Sequence, residues 1–320
     1  MNLPIVHGPL SIILMIPATL SVAIIAAKCG GKPMAEVIPI KPHIGAEIRG
    51  VDLARLRDDD FAAIYRAYLE RNVVVIRDQK LGIEEYLNYS RRFGVVQPHI
   101  SRTTRHPDHP EVTLLGANAV RKDGKVDDAV HKRGNDWHTD LPYAKSPAKA
   151  TQLYAIEIPT HGGDTLFANM YAAYDALPDR LKTRIEGLTG HFRYGGARRY
   201  GHELLDEQHR RNPPEAFHPI ARVHPETGRK ALYVNPIHSF GIVGLAQDEG
   251  DELLQELFTY MIQPDADYRH NWRVGDVVIW DNRSSIHAAA GDHPPDQARI
   301  HWRVTIMEYG FQPEAVRPAA

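Results

Sequence analysis

Two His-x-Asp triplets, His106-Pro107-Asp108 and His138-Thr139-Asp140, each set an imidazole and a carboxylate two residues apart. In a strand, positions i and i+2 face the same side, so such a triplet can offer one nitrogen and one oxygen to a single metal ion. A pattern this short arises by chance in a chain with 18 histidines, so context has to separate the two. The first lies among Pro98, Pro107 and Pro110, where a regular strand cannot pair. The second follows Trp137 and precedes a strand-rich stretch, which makes His138 and Asp140 the candidate ligands. A third ligand must come from far along the chain, and His287 lies beyond the apolar run Val277-Val278-Ile279-Trp280. Two imidazoles and one carboxylate on one face leave coordination positions open, the pattern of non-haem Fe(II) oxygenases. The same three residues on zinc could activate water for hydrolysis, although neither histidine belongs to an HExxH arrangement. A metal-free jelly-roll binding module is the third reading.

The last apolar-alternating segment adds charge. Ile300, Trp302, Val304 and Ile306 alternate with Arg299, His301, Arg303 and Thr305, so one face reads as core and the other carries two guanidiniums. A guanidinium fork binds a carboxylate bidentately, and two forks on one face suggest two anionic ligands beside the His287 end.

These residues resemble a known family. Trp137-His138-Thr139-Asp140, Gly162-Gly163-Asp164-Thr165, Trp280-Asp281-Asn282-Arg283 with His287, and Arg299-Ile300-His301-Trp302-Arg303 occur in one order. Order and spacing are similar to those of the taurine dioxygenase / 2,4-dichlorophenoxyacetate dioxygenase family of Fe(II)- and 2-oxoglutarate-dependent oxygenases. The likeness runs from about Ile44 to Tyr309 and includes Asn212-Pro213-Pro214 and the hairpin ending at Asn235. It implies a double-stranded β-helix with Fe(II) on His138, Asp140 and His287. It also implies that Arg299 and Thr165 bind the distal carboxylate of 2-oxoglutarate, that Arg303 faces an acidic group of the substrate, and that His99 and Tyr143 line the substrate site. The reaction implied consumes O2 and 2-oxoglutarate, hydroxylates a small sulfonate, sulfate ester or carboxylate, and releases succinate and CO2. Asp140 implies hydroxylation and not halogenation, since halogenases of this superfamily carry a small residue in its place. Gly134 and Tyr143 depart from the asparagine and phenylalanine expected of taurine dioxygenase, so taurine itself is not the expected substrate.

The elements that must position these groups read as mainly β with flanking α-helices, a double-stranded β-helix (jelly roll), over residues 34–320. Asp58–Asp60 open a helix with Phe61, Ile64, Tyr65, Tyr68 and Leu69 at helical spacing, and Ile83–Phe93 form a second. Strands are expected at Val73–Ile76, Val112–Leu115, Thr151–Ile158, Val277–Trp280 and Ile300–Met307, with a hairpin over Ile220–Val234. Helices are expected near Tyr171–Leu188 and Asp248–Met261, and the charged stretch Gly195–Arg211 reads as a lid. No GxGxxG or Walker loop appears. The single cysteine, Cys29, excludes a disulfide framework, a Cys-rich zinc site and an iron–sulfur cluster. A formal charge of −2, from 38 basic and 40 acidic residues, argues against nucleic acid as a partner. Residues 1–33 read as an apolar extension, with no role at a membrane unless residues 10–27 anchor the chain, and a cytoplasmic homo-oligomer is expected.

Overall fold

The computed structural model describes residues 35–98, 104–116, 134–197, 201, 205 and 207–308. The apolar run 10–27, His99 and Arg198–Tyr200 of the charged stretch lie outside the described residues. Among the described residues no helix is long and apolar enough to cross a membrane.

The chain opens with β1 (Glu36–Pro39) and β2 (Ala46–Arg49), then α1 (Asp58–Arg71), β3 (Val73–Ile76), α2 (Ile83–Arg91), β4 (Val95–Gln97) and β5 (Thr113–Leu115). The middle contains β6 (Ala148–Glu157), β7 (Thr165–Asn169), α3 (Met170–Asp175), α4 (Asp179–Ile185), β8 (Thr189–Arg193), α5 (Glu207–Arg211), β9 (Glu215–Pro219), β10 (Ala221–Val223), β11 (Lys230–Leu232) and β12 (Ser239–Ile242). It ends with α6 (Gln247–Phe258), β13 (Asp267–His270), β14 (Val277–Asp281), β15 (Ser285–Ala289) and β16 (Ile300–Met307).

An eight-stranded sheet runs β1-β2-β3-β14-β6-β16-β4, with β5 also on β16, and is antiparallel except for the β2–β3 pair. A smaller sheet, β13-β7-β15, faces it, giving the jelly roll. The run Val73-Val74-Val75-Ile76 is apolar without alternation because both faces of the large sheet are covered. Val74 and Ile76 join Ile64, Tyr68, Tyr86 and Leu87 of α1 and α2, whereas Val73 and Val75 join Leu153, Phe167, Trp272 and Trp280 between the sheets. The outer face of the small sheet packs Ala168 and Ile286 against Leu181, Leu254 and Leu257 of α4 and α6.

One expectation needs correcting. His138 and Asp140 do not lie in a strand; they sit on an extended loop held to β15 by one isolated bridge between His138 and His287. Leu141, at φ 52°, turns the chain away directly afterwards, which prevents the segment from continuing as a strand. On β16 His301 is 0% exposed, and Arg299 lies just ahead of the strand, which starts at Ile300. The strand is covered on both sides because its arginine face lines the space between the sheets.

Trp280 joins core and site. It is 1% exposed, its ring lies 5.3 Å from Phe167 and 4.6 Å from His287, and its Nε1 donates to Asn282 Oδ1 at 3.2 Å. Trp280→Ala is expected to destabilise the protein by about 3–5 kcal/mol, the cost of a large cavity, read from the denaturant midpoint. An unchanged midpoint would place Trp280 outside the core.

Candidate functional site

His138 and His287 are paired through the backbone, N–H to carbonyl in both directions at 2.9 and 2.8 Å, so their side chains emerge together. Their rings lie 4.2 Å apart. The His138 Nδ1–H donates to the Asp136 carbonyl at 2.8 Å, which makes Nε2 the nitrogen with the lone pair. His287 Nε2 stands 3.7 Å from Asp140 Oδ2, and one donor atom from each of His138, Asp140 and His287 lies within 4.8 Å of the others. This is the one such cluster among the described residues; His106 and Asp108 join no metal-competent group.

Asp140 is set by a buried hydrogen-bond junction. Thr151 Oγ1 donates to Asp140 Oδ2 at 2.5 Å and accepts from Asn282 Nδ2 at 2.9 Å. Asn282 Oδ1 accepts from the Asp140 backbone N–H at 3.2 Å, while Thr139 Oγ1 donates to the Asn282 carbonyl at 2.7 Å. Burial alone would raise the Asp140 carboxyl, but Arg303, then His287 and His138, hold it far below the usual carboxylate range. Burial, followed by the neighbouring His138, pushes His287 well below the ordinary imidazole value. An ionised carboxylate beside an uncharged imidazole is the protonation state that a divalent metal requires. The donor set therefore fits a small divalent ion bound by two nitrogens and one oxygen, with positions left open.

Asp281 and Arg283 are 1% and 2% exposed and pin the turn into β15. Arg283 Nη2 pairs with Asp281 Oδ2 at 2.7 Å, Arg283 Nη1 with Glu226 Oε1 at 2.6 Å, and His224 Nε2 lies 3.0 Å from Asp281 Oδ2. The β10–β11 turn thus clamps the start of the strand that carries His287.

A second group of residues forms about Arg299. Its Nε donates to the Gly163 carbonyl at 2.6 Å and its Nη2 to Thr165 Oγ1 at 3.2 Å. Gly163, at φ 73°, leaves room for this approach: a Cβ there would lie 3.0 Å from Arg299 Cδ. The glycine turn is held by Asp292, which accepts from the Gly163 N–H at 2.9 Å, and by Arg269, which bridges Asp164 and Asp292. Among the described residues Arg299 makes no ion pair, and burial presses its guanidinium down to about 10 against a partial offset from Asp164 and Asp292. Thr165 Oγ1 accepts from both Arg299 and Trp272 Nε1, the latter at 3.0 Å, so its own proton is directed to a further acceptor. A buried guanidinium without an ion-pair partner among the described residues, beside a hydroxyl with a proton to give, can receive a carboxylate.

Arg303 stands at the triad, its Nη2 2.7 Å from Asp140 Oδ1. Arg299 and Arg303 are therefore not equivalent, Arg303 pairing with a protein carboxylate and Arg299 with none among the described residues. Tyr143, 8% exposed, packs with Tyr194 and Leu205, its ring 5.0 Å from both Tyr194 and His238. His238 escaped the sequence reading. Its ring is 6.4 Å from that of His138, and its Nδ1 accepts from the Gly195 N–H at 3.2 Å, which places its own hydrogen on Nε2. Burial, then His138, lowers its pKa to about 3, so it is neutral near pH 7. The available signal was Asn235-Pro236: the Asn235 side chain accepts from the His238 N–H at 2.8 Å and fixes the turn.

The profile of the family described as Taurine catabolism dioxygenase TauD, TfdA family matches residues 36–305. An (S)-phenoxypropionate/alpha-ketoglutarate-dioxygenase of Sphingobium herbicidovorans is 34% identical over 284 residues, covering 86% of this chain and 95% of that one. An alkylsulfatase of Acinetobacter baylyi is 34% identical over 275 residues, 82% of each chain. Among solved structures, a taurine dioxygenase from Burkholderia xenovorans superposes with a TM-score of 0.71 at 33% identity, covering 86% of this chain and 90% of that one.

Proposed function

The chain belongs to the TauD/TfdA family and is an Fe(II)- and 2-oxoglutarate-dependent dioxygenase, and on that premise we propose that it hydroxylates a small organic anion at the His138–Asp140–His287 centre. The family and the full-length relatives support neither a zinc hydrolase nor a metal-free binding module. The observation that carries the site assignment is Arg299: a buried cation with no ion-pair partner among the described residues, beside a hydroxyl with a proton to give, in the same jelly roll as the two-histidine, one-carboxylate cluster.

On this reading His138, Asp140 and His287 hold the iron, and Arg299 and Thr165 hold the distal carboxylate of 2-oxoglutarate. When bound, iron, O2 and 2-oxoglutarate supply an oxidative decarboxylation, yielding succinate and CO2, that is coupled to hydroxylation of a C–H bond. This chain's residues do the rest. Asn282 and Thr151 orient Asp140, the Asp136 carbonyl sets the His138 tautomer, and Trp280 and Phe167 enclose His287. Arg303, partnered through one nitrogen, has further donors to offer a substrate acid. The ring wall of Tyr143, Tyr194 and His238 on the His138 side favours an aromatic or bulky organic acid over taurine. That preference agrees with the phenoxypropionate named for one relative. A cytoplasmic homo-oligomer completes the proposal.

The direct test is succinate release by Fe(II)-loaded protein given 2-oxoglutarate, O2 and a panel of aryloxy acids, sulfonates, sulfate esters and amino acids. Stimulation above the substrate-free rate by acids, and not by their methyl esters, is the expected outcome; equal stimulation by esters would sink the anionic assignment. Arg303→Leu is expected to weaken the apparent affinity for acids by roughly tenfold or more, the worth of a charge-assisted hydrogen bond, while esters change little. A variant that kept the wild-type preference for acids would return Arg303 to a purely structural pairing with Asp140.

A further inference from the structure

Tyr194 directly follows β8 and His238 directly precedes β12, so two of the three rings in the wall beside His138 are mounted on the β12-β8-β9 sheet. The Arg193 N–H donates to the His238 carbonyl and the Tyr194 N–H to the Pro214 carbonyl, both at 2.9 Å, which ties these two positions to the ends of its strands. Tyr143 arrives from elsewhere. It lies on the loop between Asp140 and β6, where Leu141 at φ 52° and a bond from the Ala144 N–H to the Leu141 carbonyl at 3.1 Å make a tight turn. No strand of the small sheet contains it, yet its ring meets those of Tyr194 and His238 at 5.0 Å.

His218 makes the connection. It belongs to β9, is 8% exposed, sits opposite Gly190 of β8, and packs its ring on Phe192 at 5.7 Å and Tyr233 at 5.8 Å. Its Nε2 lies 3.1 Å from the Ala144 carbonyl, an oxygen that can only accept, so Nε2 carries the hydrogen. Burial, then Arg222, lower the ring's pKa to about 4 against the opposing pull of the Ala144 and Pro142 carbonyls. At neutral pH the imidazole therefore has one N–H, and it is given to this loop. Those two carbonyls belong to the residues on either side of Tyr143.

We propose that His218 is a positioning residue for substrate selectivity: by tethering the Ala144 carbonyl to β9 it holds the Tyr143 ring against Tyr194 and His238, and so shapes the pocket for an organic acid that carries an aryl group. The assignment rests on the reading of that ring wall as the substrate's side of the site. A ring already fixed in place adds less ordering cost when a ligand packs on it, so the tether acts on affinity without touching the ligand.

The test uses full-length protein loaded with Mn(II) and 2-oxoglutarate. Amide hydrogen exchange over residues 141–147 should quicken about three- to tenfold in His218→Leu, the worth of one ordinary hydrogen bond, while β6 is unchanged. His218→Gln, which keeps a donor near the Nε2 position, should recover most of the protection. Calorimetric titration with (S)-2-phenoxypropionate should show a loss of similar size in His218→Leu, its recovery in His218→Gln, and an unaltered affinity for 2-oxoglutarate. Combined with Tyr143→Ala, His218→Leu should cost nothing further, since the ring it positions is gone. Unchanged loop exchange, or a full His218→Leu loss in the Tyr143→Ala background, would assign His218 to packing of the small sheet and overturn the proposal. Failure of the underlying reading looks different: the loop would still respond to His218→Leu, but Tyr143→Ala alone would leave phenoxypropionate binding as in wild type, and the selectivity role would fall with the wall. Should His218→Leu not fold, imidazole ¹⁵N spectra of Zn(II)-loaded wild type, assigned against His218→Gln, decide the tether. A slowly exchanging Nε2–H supports it, and an Nδ1–H tautomer refutes it.

Discussion

His287→Ala is expected to abolish metal binding and succinate formation together. Removing one imidazole leaves His138 and Asp140, two ligands for an ion that needs three from the protein, and an open, exchange-prone site. The loss should exceed the roughly 10- to 100-fold that removal of an outer hydrogen-bond partner costs in metal affinity. The effect should be local, because Trp280 and Phe167 still fill the core around the vacated ring. The measurement is equilibrium binding of Fe(II) or Mn(II) under nitrogen, with circular dichroism as the folding control. A folded variant that binds metal and turns over at the wild-type rate would refute the triad.

The second large effect is on the co-substrate. Arg299→Leu should raise the 2-oxoglutarate concentration needed for half-maximal turnover roughly ten- to hundredfold, because a charge-assisted contact contributes about 1.5–3 kcal/mol. Metal affinity should hardly change, since Arg299 pairs with none of the three candidate ligands. A truncated co-substrate without the distal carboxylate should then distinguish wild type from variant poorly. If the 2-oxoglutarate dependence were unaltered, Arg299 would be a prop for the Gly163 turn and nothing more.

Much of this site was legible in the sequence, for reasons that vary by residue. Val73–Ile76 and Val277–Trp280 announce strands because both their faces are apolar and buried. The α1 helix announces itself through aromatic spacing behind three aspartates. His138, Asp140 and His287 could be named because a metal constrains residue type and family order constrains position, although the loop beneath the first two was read as a strand. Other strands gave little signal. β13 reads Asp-Tyr-Arg-His, and its His270 is buried through Asp276, a partner no local period reveals. β7 and β15 mix small and polar residues whose burial depends on each other across 116 or more positions. The Asp140–Arg303 pairing was likewise invisible, because alternation along a strand says which way a side chain points but not which group meets it.

The order of strands in the large sheet has a consequence for how the protein is made. β6 lies between β14 and β16, both from the far end of the sequence, and the Thr139–Asn282 hydrogen bond at the site spans 143 residues. During synthesis the half of the site bearing His138 and Asp140 emerges long before the strands that complete it, and the edges of β6 wait without neighbours. Closing so long a loop costs chain entropy before any contact offsets it, and a topology dominated by such pairings folds on the millisecond-to-second scale. The nascent chain is accordingly exposed to strand-edge association until Ile300–Met307 docks, and the three candidate metal ligands can meet only after His287 has been made.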